Sequence, residues 1–347
     1  MKDLPLIGIM VPRKKDRKKI LELYQEFRKK NLKMRLCSFT PANIDLRKKK
    51  IKGIIKSSKG YKEATLDLPD AVYNRCYNKS SKKLRPLERM IGEKYFNKIT
   101  HFNKWDVYRQ LEKSELKIFT PKTFLYDASI LPDLLEAWKL LYLKPVYGNK
   151  GKNVYRLEQI DSGSILISSH SLAPRYICER HEDIGAKLKG ILGEGQFIMQ
   201  RGIRSRMINQ CLFDLRLLVQ KDITGNWLVT SVVSRVAYEG FFNPSILKEI
   251  YDGELLIPQF FTVEKGFKLL KVLNNLSIKA AELVEKHIGL LGEISVDFIL
   301  DETGKPWIIE INGKPQKVIY QKIESFQHRK LIYQRPLEYA YYLSQLT

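Results

Sequence analysis

Residues 292–315, GEISVDFILDETGKPWIIEINGKP, decide the fold. Two apolar runs of strand length, 294–300 and 307–311, flank the turn DETGK, so the stretch reads as a β-hairpin. Polar donors interrupt it: Asp297 on one strand, Glu310 and Asn312 on the other. Positions 310 and 312 share a strand face, so with Asp297 opposite, three oxygen donors converge. Acids inside apolar strands are expensive to bury without partners, although an exposed edge hairpin would also tolerate them. A set of hard oxygen donors suits Mg²⁺, or Mn²⁺ in its place, an ion that keeps several waters and binds substrate phosphates.

Working towards the N-terminus, CLFDLRLLVQKDITGNWLVTSVVSRVA (211–237) repeats the plan, with strands expected at 215–219 and 227–236 around the turn DITGN. Asp214, Arg216 and Arg235 alternate with apolar residues where charge is unexpected. A buried arginine needs a partner, and its fork matches carboxylate or phosphate oxygens; an Asp214–Arg216 pair would meet that need without any ligand. Further upstream, FIMQRGI (197–203) closes an apolar strand at Gln200, Arg201 and Gly202, either an ordinary strand end or a hinge that meets an adenine edge. Before it, LYLKPVYGNKGKNV (141–154) delivers Lys144 on a strand into a turn with Gly148, Lys150, Gly151 and Lys152. Glycines let backbone N–H groups approach an anion without Cβ interference. The plainer reading is a basic hairpin turn, and no G-x-x-x-x-G-K-[ST] phosphate loop occurs.

The remaining pattern expects an α+β chain of two lobes preceded by a small Rossmann-like unit. Strand-length runs at 6–11, 34–39, 51–55 and 71–73, with a helix after Asp16 carrying Ile20, Leu21, Leu23, Tyr24 and Phe27, make up residues 1–96. From residue 97 the spacing predicts helices over 104–116, 131–139 and 269–287, strands at 122–126, 141–145, 154–157 and 196–200, and an aromatic helical cover over 320–346.

Charge divides the chain in the same place. Of 347 residues, 61 are Lys or Arg and 38 Asp or Glu, a net +23, and the first hundred hold 28 of the basic residues but only 10 of the acidic. That lobe presents either a solvated helical face or a field that gathers acidic partners such as a Glu/Asp-rich peptide or an anionic polymer. A nucleic-acid binder would need a recognition motif, and none is legible. The aromatic C-terminal stretch reads as core packing rather than a stacking platform. Four scattered cysteines exclude a disulfide scaffold and a zinc ribbon. The five histidines show no metal spacing, and no G-x-S-x-G or Cys–His pattern marks a covalent nucleophile. No apolar run approaches the roughly 20 residues that span a bilayer, so a soluble, cytoplasmic chain without membrane contact is expected. Nothing in the pattern assigns an oligomeric state.

The order of these pieces resembles the ATP-grasp fold over about 97–315. Several phrases are similar to the YheC/YheD-type spore-coat-associated ATP-grasp proteins: LPDAVYNR, HFNKWDVYRQL, YLKPVYGNKGK, FDLRLLVQKDITGNW and WIIEINGKP. The resemblance implies an ADP-forming carboxylate–amine ligase using ATP and Mg²⁺, with a smaller nucleotide lobe (97–203), a metal and acceptor lobe (204–315) and a C-terminal cover (316–347). It implies that Lys104 and Lys144 hold the ATP phosphates and that Gly148, Lys150, Gly151 and Lys152 cover them. Gln200, Arg201 and Ile203 would line the adenine, and Asp297, Glu310 and Asn312 would hold the metal. Arg216 would lie near the γ-phosphate and acyl group, with Arg235 a second cation. The loop 148–157 carries fewer glycines than usual, and 241–253 keeps Asn243 but lacks the expected paired glycines. That second departure bears on the acceptor. A coat component of this fold without turnover is the alternative, and spore-coat association rests on the resemblance.

Overall fold

Three sheets organise the chain, in a computed structural model that describes residues 4–78, 84–243, 245–324 and 326–346. The outermost ends of the first and last expected units, and Pro244 within 241–253, lie outside the described residues.

The first sheet is built around Leu6–Met10, which pairs in parallel with Arg35–Phe39 on one side and Ala71–Asn74 on the other. Helix Asp16–Phe27 crosses between the first two strands and buries Leu21 and Tyr24, which is the expected Rossmann-like start. The strand expected at 51–55 is present as Lys50–Ser57, paired with Arg35–Phe39, and it turns back into an antiparallel hairpin with Gly60–Asp67, which the sequence pattern does not mark. In that second strand exposed Lys62, Glu63, Thr65 and Asp67 sit among half-covered residues, so charge hides its period.

The second sheet is antiparallel, in the order Tyr176–Cys178, Ile165–Ser169, Tyr155–Gln159, Leu140–Pro145, Phe197–Arg201 and Thr123–Leu125. Helices Leu131–Trp138 and Ile184–Lys189 share its apolar core. The third sheet runs Leu247–Asp252, Trp227–Ala237, Cys211–Lys221, Glu293–Leu300 and Pro306–Asn312. Both expected hairpins are present, and one device closes each turn. Asp222 Oδ1 accepts from the Thr224 and Asn226 amides at 2.9 and 3.2 Å, and Asp301 Oδ1 accepts from the Thr303 and Lys305 amides at 3.0 Å each. Strand alternation then sorts the faces. Leu215, Leu217, Val296, Phe298 and Leu300 pack in one core with Leu270, Leu273, Leu276, Ala280, Ala281 and Val284 of helix Val263–Ile288. The opposite face carries the charges.

Two expected helices are shorter than their patterns. The one expected over 104–116 stops at Glu112, because Ser114 accepts the Leu116 amide and starts a 3₁₀ turn over Glu115–Phe119. The expected cover over 320–346 is helical only over Arg329–Gln345, and Tyr320 belongs to a 3₁₀ turn over Lys317–Lys322. Nor does it merely cover: Tyr333, Leu337, Tyr339 and Leu343 share one core with Ile7, Ile9 and Tyr73 of the first sheet and Leu218 and Val233 of the third.

At that junction two ionic groups are sealed inside. Glu293 and Lys317, 4% and 3% exposed, pair at 2.7 Å. Gln220 Nε2 donates to the same carboxylate at 2.8 Å, and Tyr73 bonds to it as well. Lys317 Nζ also donates to Tyr24 Oη and to the Ile332 carbonyl, at 3.1 and 3.0 Å. Burial works to raise the Glu293 carboxyl, but Lys317, Arg75 and Tyr73 outweigh it and hold the group below its ordinary value. This contribution to stability is present above the usual glutamate range and is lost as the pH falls below it. Replacing Lys317 by Met should cost about 3–5 kcal/mol, because it leaves a buried charge unpaired. Urea unfolding should show that loss shrinking when Glu293→Gln is added; an unchanged midpoint in the single variant would sink the assignment.

Candidate active site

The charged face of the third sheet turns towards the second sheet across a cleft of about 1070 Å³, its open mouth included. From the second sheet and its neighbours come Lys104, Tyr142, Lys144, Gly148, Gly151, Lys152, Gln200, Arg201 and Ile203, and from the third sheet Asp214, Arg235, Asp297, Ile299 and Glu310.

Strand register aligns the third-sheet charges side by side. Asp214 lies opposite Arg235, Arg216 opposite Asp297, and Asp297 opposite Glu310. Arg216 grips Asp297 with two parallel bonds of 2.8 and 2.6 Å. Arg235 bonds to Asp214, through Nε at 2.8 Å, and reaches Asp297 at 3.0 Å. The pairing considered for Asp214 with Arg216 is therefore replaced by two cross-strand pairs, since neighbours two apart on one strand are further apart than residues directly opposite. Burial alone would raise the Asp297 carboxyl, but the two guanidinium groups outweigh it and hold it below the usual range. Burial opposes the charge on Arg235 too, and Asp214 and Asp297 more than restore it.

Glu310 reaches the cleft through a β-bulge. The pairing steps from Asp297–Glu310 to Phe298–Ile308, which leaves Ile309 as the extra residue. Ile308 and Ile311 enter the core, while Ile309 and Glu310 both line the cleft. Asn312 sits beside this pair, with Nδ2 3.5 Å from Asp297 Oδ2, but it is not among the cleft-lining residues.

Two lysines face these acids. Asn103 caps helix Lys104–Glu112 by accepting the Trp105 and Asp106 amides, which sets Lys104 at the first helical position. Lys104 Nζ bonds to Glu310 at 3.0 Å and to the Gly148 carbonyl at 3.2 Å. Burial would push Glu310 up, and Lys104 ahead of Lys144 more than reverses that. Lys144 Nζ donates to Gln200 Oε1 at 2.6 Å, a bond that also occupies the predicted adenine-lining amide. Burial, with Lys104 adding to it, lowers the Lys144 ammonium to about 8 despite Glu310 and Asp297.

The glycine-rich turn lies over the mouth. Gly151 has φ +66°, and an added Cβ would stand 2.6 Å from Asn243 Cγ. Asn243 Nδ2 in turn contacts the Lys150 carbonyl at 3.4 Å and His170 Nδ1 at 2.9 Å, so it ties this turn to the second sheet. Lys150 presents its carbonyl there and does not line the cleft. Arg216 does not line it either: its fork is spent on Asp297, and of the two equally buried sheet arginines it is Arg235 that lines the cleft. The sequence reading missed Tyr142, Phe242, Ile299 and Ile309 as cleft walls. Strand alternation from Asp297 points to Ile299, whereas the bulge that exposes Ile309 has no sequence signal.

These residues suit a metal–triphosphate. The described residues hold no group of three or more His, Cys, Asp and Glu that makes a metal site by itself, so a divalent cation here would be shared between Asp297, Glu310, Asn312 and a ligand's own oxygens. The two lysines supply the positive charge that such an anionic ligand calls for.

Residues 92–343 match the family model described as YheC/D like ATP-grasp. Among curated proteins, the chain is 27% identical over 316 residues to the endospore coat-associated protein YheD of Bacillus subtilis (strain 168), covering 85% of this chain and 67% of that protein. It is 23% identical over 330 residues to YheC of the same strain, covering 89% and 88%. Among solved structures, D-alanine–D-alanine ligase from Bacillus anthracis complexed with ATP superposes with a TM-score of 0.55 at 13% identity, over 98% of this chain and 96% of that one. The ATP-grasp ligase PsnB complexed with minimal precursor gives 0.54 at 14%, over 99% and 100%. At such identity the structural likeness is one of fold, and it is the ATP-grasp fold. No helix among the described residues is long and apolar enough to cross a membrane. With the family model spanning most of its length, the chain belongs to the YheC/D-like ATP-grasp family.

Proposed function

We propose that the protein is an ATP- and Mg²⁺-dependent ligase that joins a carboxylate to an amine through an acyl phosphate, releasing ADP and phosphate. One observation carries this reading: in a single cleft, Lys104 and Lys144 meet the paired carboxylates Asp297 and Glu310. Segments 97–203 and 204–315 act as the two clasping lobes. Lys104, Lys144 and Lys152 hold the phosphates, and Gly148 and Gly151 let the turn approach them. Tyr142, Ile203 and Phe242, with Gln200 and Arg201, flank the base. Asp297 and Glu310, with Asn312 beside them, hold Mg²⁺, which when bound neutralises phosphate charge.

In the reaction a substrate carboxylate oxygen attacks the γ-phosphorus, the bond to the bridging oxygen breaks, and ADP leaves with that electron pair. The amine then attacks the acyl carbon, phosphate leaves, and the amine nitrogen gives up a proton. Arg235 and Lys144 stabilise charge gathering on the transferred group. Arg216 acts through Asp297, orienting it rather than touching substrate. The acceptor is an acidic peptide or anionic polymer gathered by the basic N-terminal lobe. The coat association named for the two relatives is proposed as this chain's place of action too.

ATP with Mg²⁺ should stabilise the fold by about 2.7 kcal/mol at a hundredfold excess over Kd, and Glu310→Gln should remove most of the metal-dependent part. A thermal shift indifferent to ATP–Mg²⁺ would count against the ligase. Turnover should yield ADP and phosphate, and Lys144→Ala should lower kcat by roughly 10²–10³-fold; AMP as the sole nucleotide product would eliminate the acyl phosphate route.

A third expectation concerns pH in the ligand-free protein. The Lys144 value is lowered on folding, so its ammonium disfavours the native state below about pH 8. That penalty fades as the pH rises from there to the ordinary lysine value. Lys144→Met should therefore melt above the parent at neutral pH, with the gap closing through the alkaline range. A variant that melts lower at neutral pH would show that the Gln200 bond outweighs the desolvation.

A further inference from the structure

A second set of cations lies outside the nucleotide cleft and forms no ion pair among the described residues, Glu293 acting on both only at longer range. In open α/β sheets ligands bind beyond the carboxyl ends of parallel strands, where the strand order reverses. In the first sheet that point falls between Leu6–Met10 and Ala71–Asn74. Arg75 leaves the second strand there, its amide bonded to the Met10 carbonyl at 2.8 Å. Its guanidinium lies 5.5 and 5.8 Å from the ring centres of Tyr24 and Tyr73, and Nη1 donates to Tyr24 Oη at 2.7 Å. A guanidinium has five N–H donors in a planar fork. Among the described residues, Tyr24 Oη is the one side-chain acceptor Arg75 reaches, and no ion pair forms with it. The acid behind this corner, Glu293, is already taken by Lys317, Gln220 and Tyr73.

Lys314 completes the set. It follows Asn312 by two residues, stands 5.2 Å from the centre of the Tyr77 ring, and makes no ion pair among the described residues. Of the charges acting on its ammonium, that of Arg75 is the largest. Both cations are half-buried and neither lines the nucleotide cleft. An aromatic wall joins the two places: Tyr77 packs on His101 at 4.7 Å, and His101 on Tyr147 at 5.3 Å, next to Gly148 of the phosphate turn.

We propose that Arg75 and Lys314 form an anchoring subsite for a carboxylate that does not itself react. One end of the substrate is held at the switch point of the first sheet, and its other end reaches the metal end of the cleft just past Asn312. The inference rests on the ligase reading and deepens it: the non-nucleotide substrate carries a carboxylate beyond the group that reacts, as amino acids and acidic peptides do. A guanidinium laid against two rings offers its edge, which fits a planar carboxylate bidentately.

The test uses the full chain, isothermal titration calorimetry at low salt, and two probes, L-glutamate and a short poly-L-glutamate peptide. The peptide should bind saturably to the parent. Arg75→Gln and Lys314→Gln should each weaken it about tenfold or more, the loss of a charge-assisted hydrogen bond. Arg75→Lys should recover part of that loss, with circular dichroism confirming each fold. Neutralising Lys265 and Lys271, exposed on helix Val263–Ile288 outside the basic lobe, should leave affinity within about twofold. L-Glutamate binding as tightly as the peptide would support a free amino acid as the source, and binding of the peptide alone would support an acidic peptide. Unchanged affinity in both Gln variants, no binding to the parent, or equal displacement by inorganic phosphate would each overturn the subsite. ATP–Mg²⁺ stabilisation, measured alongside, keeps the two readings apart: it should survive Arg75→Gln. Its absence in the parent alongside Arg75-dependent peptide binding would fell the ligase and leave an anion site.

Discussion

The structure turns on one carboxylate, Asp297, in the middle of a sheet. A buried acid of this kind must be answered with charge and hydrogen bonds or it destabilises the fold. Arg216 from the adjacent strand and Arg235 from the next one answer it. Because the pairs form across strands, they hold only while three strands keep their register, and so they pin the centre of the third sheet. They also make one face of that sheet too polar to be sealed under apolar side chains. The opposite face of the same strands packs against helix Val263–Ile288. A cleft is what remains over the polar face.

The other end of that face shows what sealing it requires. Around Glu293 the N-terminal lobe and the C-terminal segment close over the sheet, the lobe bringing Tyr73 and Tyr24 and the turn before the last helix bringing Lys317. Asn97 helps from the boundary between units: its side chain accepts the Gly292 amide at 2.8 Å and donates to the carbonyls of Glu293 and Gly313 at 2.7 and 3.0 Å. The strand Glu293–Leu300 thus has an acid locked at its start and an acid left facing the cleft at Asp297.

Much of this was legible from residue order. Alternation exposed both hairpins of the third sheet, and charge within apolar strands marked Asp214, Arg216, Arg235, Asp297 and Glu310 before any contact was known. Register was not legible. Which arginine faces the cleft depends on cross-strand partners, and local spacing suggested Asp214 with Arg216 instead. The bulge at Ile309 decides that Glu310 faces the cleft, yet an isoleucine in an apolar strand gives no hint of it. The Gly60–Asp67 strand was hidden because charged and polar residues fill its exposed positions, whereas the place of the last helix in a shared core agrees with the packing role its aromatic residues suggest. The sequence around Asn243 marks only the missing glycine neighbours; its contact with the turn at Gly151 needs two distant loops to meet.

The balance between a working enzyme and a retired scaffold can be argued from Lys144. Burial lowers its ammonium to about 8, so in the absence of ligand this residue weakens the fold it belongs to. A nearby methionine-sized apolar chain would fill the same strand position without that penalty, and most proteins sit close enough to their stability threshold for such penalties to be lost when nothing requires them. Lys104 adds to the strain by standing in the same field. An anion between the two lysines reverses the sign of both effects. The arrangement is therefore costly for a purely structural protein and favourable for one that binds a highly charged ligand, which is the physical reason to place ligand binding ahead of a purely architectural role.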